Sequence, residues 1–455
     1  MKSLFRRCLA SHSTNAATPP ASPRHCAIEV LEPRIAPASM AVLNDGTLLI
    51  TGNPDGPLEI TQTSGLVGTN TVITTTVSDD PENATPFTFT GVKNIVVKLP
   101  KSATDDNQVN VTLLKLRGAL EILTPEAANT NIQINAGESG TERPIIGKGV
   151  LIKGGTGVES ANVSGVDIRD GMVFAAGKGA DSLIISGDVS IEQNLSVTGA
   201  ATFTLAPGAR VNGNLLVTQT QSHSEFFTLG AGSVVTGETL IFAGPGSTTI
   251  SAYGSVGGRF VASAGDGPSA FNVALTAKSL KYTSGDSNDF ISLLRSDISG
   301  SATFVLSSGS NSMLFDSGPS NLRGDFKVGK SLKISGGGGN DVYNLRSFDF
   351  EVRAGGNAAL LLGGGDNTLV WNGAVGGDAI RIVAAGGPDI VNVFDLDAPK
   401  AELDLELGGN NDRLAISSNF RKAILDGGSG TDEIIPGSIL PNKSVVRRFE
   451  TGVSA

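Results

Sequence analysis

A carboxylate set in a glycine-rich turn recurs five times towards the C-terminal end of the chain, at Asp341, Asp366, Asp389, Asp412 and Asp432. The intervals between them are 25, 23, 23 and 20 residues. Residues 336–344 read Gly-Gly-Gly-Gly-Asn-Asp-Val-Tyr-Asn, a glycine turn followed by an Asp and then by alternating apolar residues. Glycine adopts positive φ without steric cost, and aspartate adds hard oxygens beside the turn's carbonyls. Such oxygens are what Ca²⁺ collects, six to eight at a time. The plainer use of the same residues is turn formation, with Asp bonding the backbone of its own turn. If the turns stack about 4.8 Å apart, two neighbouring carboxylates repel by about 3.5 kcal/mol at an effective dielectric of 20, and by about 0.9 kcal/mol in bulk water. A bound cation, splayed side chains or raised pKa values would each relieve that repulsion.

Residues 336–344 fit the nonapeptide G-G-x-G-x-D-x-U-x through Gly336, Gly337, Gly339, Asp341 and Tyr343. Residues 427–435 fit it through Gly427, Gly428, Gly430, Asp432 and Ile434. The pattern resembles the calcium-binding repeats-in-toxin family, in which glycine carbonyls and aspartates of successive turns hold the ion. The resemblance spans 335–436 and implies calcium at Asp341, Asp366, Asp389, Asp412 and Asp432. Residues 331–435 carry fifteen acidic groups against eight basic ones, a local net of −7 that would attract a cation.

The elements that must position these turns follow from the repeat. From about residue 70 a turn rich in Gly, Ser, Asp or Asn leads into a short β run, then a second turn and a second run. The residue before each first run is placed at Asn107, Thr130, Ser160, Asp181, Ala201, Glu225, Ser247, Ser269, Asp289, Ser312, Asp341, Asp366, Asp389, Asp412 and Asp432. Twelve of the fourteen intervals fall between 20 and 25 residues. A unit of about 23 residues has no room for a helical crossover, so its strands pair best with their copies one coil on. The fold class is therefore all-β, a parallel β-solenoid or β-helix, with no unit able to bury its apolar face alone. The two long intervals, Thr130 to Ser160 and Ser312 to Asp341, predict corner insertions. Residues 39–69 read as an N-terminal hairpin and cap with a turn at Asn44-Asp45-Gly46, residues 70–435 as one continuous solenoid, and residues 436–455 as a C-terminal cap or tail.

The chain has 455 residues with a net charge of −10, 59 Gly and 5% aromatics. Without a basic stripe it has no counterions to release from nucleic acid, which is excluded as a partner. No run approaches the 18 apolar residues of a spanning helix. Residues 1–38 carry five basic and two acidic groups, a net of +3, and both cysteines, Cys8 and Cys26. Within them, Leu31-Glu32-Pro33-Arg34-Ile35-Ala36-Pro37-Ala38 resembles the LEPR-type leader motif of exported bacterial proteins, with Ala36-Pro37-Ala38 fitting an A-x-A cleavage site. That implies a disordered basic leader and a secreted or cell-surface protein without disulfides.

Catalytic constellations are sparse. His223 is the one histidine beyond residue 38, and neither G-x-S-x-G nor H-E-x-x-H occurs. Lys278, Lys281, Asp286 and Asp289, or Arg295 with Asp297, could serve a polysaccharide-cleaving β-helix enzyme; solvated surface charges explain them equally well. Trp371 with scattered Tyr253, Tyr282 and Tyr343 makes a poor sugar platform. The reading that follows is a non-catalytic exported structural or adhesive rod, stiffened by calcium and facing cell-surface or extracellular-matrix polysaccharide or protein. Its rival is a lyase or hydrolase acting on polysaccharide.

Overall fold

The computed structural model describes residues 39–450 apart from 44, 53–55, 68–69, 79–85, 100–105, 125–128, 138–142, 316–324, 347–349 and 354. The leader at 1–38 and Asn44 of the first turn lie outside the described residues. So do 138–142 and 316–324, within the two long intervals.

Among the described residues there is no helix, and the strands coil into a parallel β-solenoid of about 14 turns with about 23 residues each. A rung carries three strands. In one, Asp181–Ser186, Ser190–Ile191 and Leu195–Thr198 form the three sides. The next rung repeats them as Ala200–Leu205, Arg210–Val211 and Leu215–Thr218, in parallel register with Leu183 beside Phe203, Ile191 beside Val211 and Leu195 beside Leu215.

Alternation with period two sends every second residue of each strand inward. One interior column runs Val109, Ile132, Ala161, Leu183, Phe203, Phe227, Ile250, Phe271, Ile291, Met313, Tyr343, Leu369, Val391, Leu414 and Ile434, all buried. Opposite walls meet directly. Phe271 on the first side and Tyr282 on the third stack with centroids 4.3 Å apart and planes 5° from parallel. The core is one side chain deep from each wall, which suits a chain with few aromatics.

The parallel stack begins before residue 70. Thr47–Thr51, hairpin partner of Ser39–Val42, already pairs in parallel with Asn94–Lys98. Leu58–Val67 pairs in parallel with Asn107–Leu113 and antiparallel with Asn70–Ser78, which pairs antiparallel with Phe87–Thr90. Asn70–Ser78 and Phe87–Thr90 thus form an antiparallel excursion that leaves the stack. At the other end Val445–Arg447 adds a parallel strand to Arg413–Asp426, carrying the stack into the segment read as cap or tail.

Candidate functional site

The corner that leads into the first side of each rung turns its last residue inward. Register places Asn107, Thr130, Glu159, Asp181, Glu225, Thr248, Ser269, Asp289, Asn311, Asp341, Asn367, Asp389, Asp412 and Asp432 in one column, interrupted by Ala200 and Ala201 at a bulge. All fourteen polar members are buried. A polar column inside an apolar coil must be satisfied from within, and here the rungs satisfy one another. Asp432 Oδ1 accepts the N–H of Asp412 at 2.9 Å, and Asp412 Oδ1 that of Asp389 at 2.8 Å. Asp389 Oδ1 accepts the N–H of Asn367 at 2.9 Å, Asn367 Oδ1 that of Asp341 at 3.1 Å, and Asp341 Oδ1 that of Asn311 at 2.8 Å. The pattern continues through Asn311 to Asp289, Asp289 to Ser269, and Asp181 to Glu159. At the C-terminal end Glu450 Oε2 accepts the N–H of Asp432 at 2.6 Å.

Glycine makes room for this. Gly387 has φ +94°, and a Cβ there would lie 2.3 Å from the Gly365 carbonyl of the preceding rung. There the corners stack backbone on backbone, and a side chain at Gly387 would separate them.

Four of the five aspartates singled out from the sequence, Asp341, Asp389, Asp412 and Asp432, are members of the column. Asp366 is not. It is exposed, one position before the buried Asn367, which takes its place in the register. The Oδ1 atoms of Asp341, Asp389, Asp412 and Asp432 bond the neighbouring rung rather than their own turn, whereas Glu159 Oε1 accepts the N–H of Gly155 in its own corner at 3.2 Å. Pointed into the stack, the nearest donor is the N–H one rung away. The amides do reach their own corner: Asn367 Nδ2 donates to the Gly365 carbonyl at 3.0 Å, and Asn311 Nδ2 to that of Gly309 at 3.2 Å.

Each column carboxylate has a second oxygen. That of Asp341 accepts the Tyr343 hydroxyl at 2.9 Å. The Oδ2 atoms of Asp181, Asp289, Asp389, Asp412 and Asp432 are buried without a hydrogen-bond partner. Burial disfavours the ionised form and pushes Asp412 up to about 7, with the Asp389 and Asp432 charges adding to the rise. Burial likewise pushes Asp389 up to about 6 and Glu225 to about 7. It raises Asp289, Asp341 and Asp432, and also the stacked pair Glu159 and Asp181. As a calcium donor set the column supplies at most one uncommitted oxygen per rung against the six to eight the ion takes, so corner carbonyls would have to complete any site. Among the described residues no group of three or more His, Cys, Asp or Glu side chains is placed to hold a metal.

The charged residues considered for catalysis separate. Asp289 is buried in the column, where it accepts the Ser269 hydroxyl at 2.6 Å. Lys281 is exposed on the strand Ser279–Thr283, and Asp286 is exposed in the next corner, accepting the Ser308 hydroxyl. Arg295 and Asp297 do share a surface groove of about 790 Å³, with Tyr253, Thr276, Asp325 and Lys327. Its carboxylates are engaged by cations: Arg353 Nη2 donates to Asp297 at 2.8 Å, and Lys327 pairs with Asp325. Tyr253, Asp325, Lys327 and Arg353 carry no sequence signal, because only the stack brings corners of successive rungs together. Among the described residues no helix is long and apolar enough to cross a membrane. No protein-family model, curated protein or solved structure matches the chain.

Proposed function

We propose that the chain is a non-catalytic structural and adhesive rod that works outside the cell or on its surface. The observation that carries this is the uninterrupted stack, with one interior from Leu48 to Ile434 and its polar column committed to joining rungs. Fourteen rungs at about 4.8 Å extend roughly 65–70 Å. The outward residues support the same use. Asn162 Nδ2 donates to Gln133 at 3.2 Å, and the Ser186 hydroxyl donates to Asn162 at 3.0 Å, so neighbouring rungs also bond along the surface. The purified chain should leave acidic and neutral polysaccharides at full length on prolonged incubation, while antibody labelling finds it outside intact cells. Shortened polysaccharide would establish the rival, a β-helix lyase or hydrolase. Labelling only after lysis would remove the surface role.

Calcium at the Gly/Asp turns is a second proposal, supported by the partnerless Oδ2 atoms of Asp389, Asp412 and Asp432 in a segment of net charge −7. A ligand that binds only the folded state stabilises it by about 2.7 kcal/mol at a hundredfold excess over Kd. The thermal midpoint should then rise with millimolar Ca²⁺ and lose that rise in Asp389→Asn/Asp412→Asn. An unchanged midpoint for the unaltered chain overturns calcium as a structural ion here.

A further inference from the structure

The antiparallel excursion at the N-terminal end leaves a second groove, of about 630 Å³, on the corner between the first and second sides. One wall is the hairpin of Leu58–Val67 and Asn70–Ser78, which contributes Ser64 and Ile73. The floor and far wall carry Lys93, Lys115, Arg117 and Arg143, all exposed. The stack brings them together. Gly118 donates its N–H to the Lys93 carbonyl at 2.8 Å, which sets the Arg117 corner on Lys93, and Lys115 pairs in register with Ile145 on the rung that carries Arg143. Three successive rungs therefore present cations to one concavity.

The groove is also held in shape. Gln62 on the hairpin is 2% exposed, and its Oε1 accepts the N–H groups of Leu114 and Lys115 at 3.1 and 2.9 Å. Its Nε2 donates to the Thr75 hydroxyl at 3.4 Å. One buried side chain thus ties the wall to the rung that carries Lys115.

The charge in the groove is largely uncompensated. No acidic residue lines it among the described residues. Arg143 at its edge pairs with Asp188 at 3.1 Å and Asp167 at 3.7 Å. Among the described residues Lys93, Lys115 and Arg117 make no ion pair. Asp45, whose carboxyl feels Lys93 only weakly, is held chiefly by the Thr47 N–H. Such a cluster on a chain of net charge −10 costs repulsion that an anionic ligand removes.

We propose that this groove binds an acidic polysaccharide, a glycan chain bearing carboxylate or sulfate groups, through Lys93, Lys115 and Arg117. This names the partner of the rod proposed above and rests on that reading. An extended glycan suits a groove whose cations repeat rung by rung. Nucleic acid does not, since no aromatic side chain lines the groove to stack a base. A flat bilayer surface does not enter a walled concavity.

The test uses the full chain with dextran sulfate and polygalacturonate as probes, against neutral dextran, single-stranded DNA and anionic lipid vesicles. The unaltered protein should bind both acidic polysaccharides and not neutral dextran, with affinity falling as salt rises. Lys93→Gln/Lys115→Gln/Arg117→Gln should weaken that binding at least tenfold with the thermal midpoint retained. Lys278→Gln/Lys281→Gln/Lys333→Gln, which removes as much charge elsewhere on the rod, should leave it unchanged. Absence of binding by the unaltered chain, equal loss in the remote variant, or tighter binding of DNA or vesicles overturns the proposal. Shortening of either polysaccharide during the incubation would overturn the non-catalytic reading alone and leave the groove's role standing.

Discussion

Asp432 accepts the backbone N–H of Asp412 at 2.9 Å, and both side chains are fully buried. The bond joins consecutive rungs through a side chain rather than through the strand ladder. It is one step of a column whose carboxyls are raised by burial, and it sets how this fold should respond to acid, to substitution and to changes of length.

The response to pH has a definite sign. An aspartate in the unfolded chain titrates near 3.9, whereas Asp389 is pushed up to about 6 and Asp412 to about 7. Between those values the folded state holds more protons than the unfolded state, so stability falls as pH rises. The contribution is fully present below about pH 4 and lost as pH passes through 6 to 7. The thermal midpoint should therefore be higher at pH 5 than at pH 8. Asp412→Asn removes one titrating group and keeps an oxygen for the Asp389 N–H, and its new amide has corner carbonyls within reach, as Asn367 does. It should raise the midpoint at pH 8 with little effect at pH 5. A midpoint that rises between pH 5 and pH 8 would defeat this account.

Asp366 and Asn367 are neighbours with opposite consequences. Asp366 is exposed, and Asp366→Asn should change stability by no more than about 0.5 kcal/mol. Asn367→Ala strips the acceptor from the N–H of Asp341 and the donor from the Gly365 carbonyl. It should cost about 1–3 kcal/mol. Urea unfolding of both variants separates them; equal losses would mean the register is misassigned.

Gly387→Ala places a methyl group against the Gly365 carbonyl at a φ of +94°. Backbone strain of that kind costs about 1–3 kcal/mol before the clash is counted. Reduced stability together with faster amide exchange in the rungs on either side is the expected result. A neutral outcome would show that the corners are looser than their stacking distances require.

Trp371 fills the interior at 0% exposure. Trp371→Ala should cost about 3–5 kcal/mol, comparable with the whole stability of many domains. Because rungs contact mainly their neighbours, protection from hydrogen exchange should be lost around residues 340–400 while residues 107–230 keep theirs. Uniform loss along the chain would instead indicate a single cooperative unit.

The coil was legible because its period and its glycine corners are local signals. Thr130, Asp181, Glu225, Asp389 and Asp432 could all be placed in register from the sequence alone. The misplacements are each a single residue: Ser160 for Glu159, Ser247 for Thr248, Ser312 for Asn311 and Asp366 for Asn367. In a strand, one residue is the difference between the inner and outer face. At Asp366-Asn367 both types suit a corner, and the carboxylate drew the assignment although the amide is the buried one. The use of the column could not be read either, since the bonds that join its rungs span 18–30 residues in sequence and are defined only by stacking. The same holds for the basic groove, where Lys93 meets Arg117 only because a coil closes between them.

The column also has a direction. From Ser269 onward each column acceptor reaches back to the rung before it, so each of these rungs depends on its successor to complete it, and the series ends on Glu450, beyond the last corner aspartate. The chain thereby carries a stop sign that is independent of how many rungs precede it. Excising one whole coil in register would leave the remaining acceptors and donors matched, whereas cutting within a coil or removing the final segment would strand an N–H at the growing face. Rod length is thus free to vary in whole steps of one coil, under a terminator that stays the same.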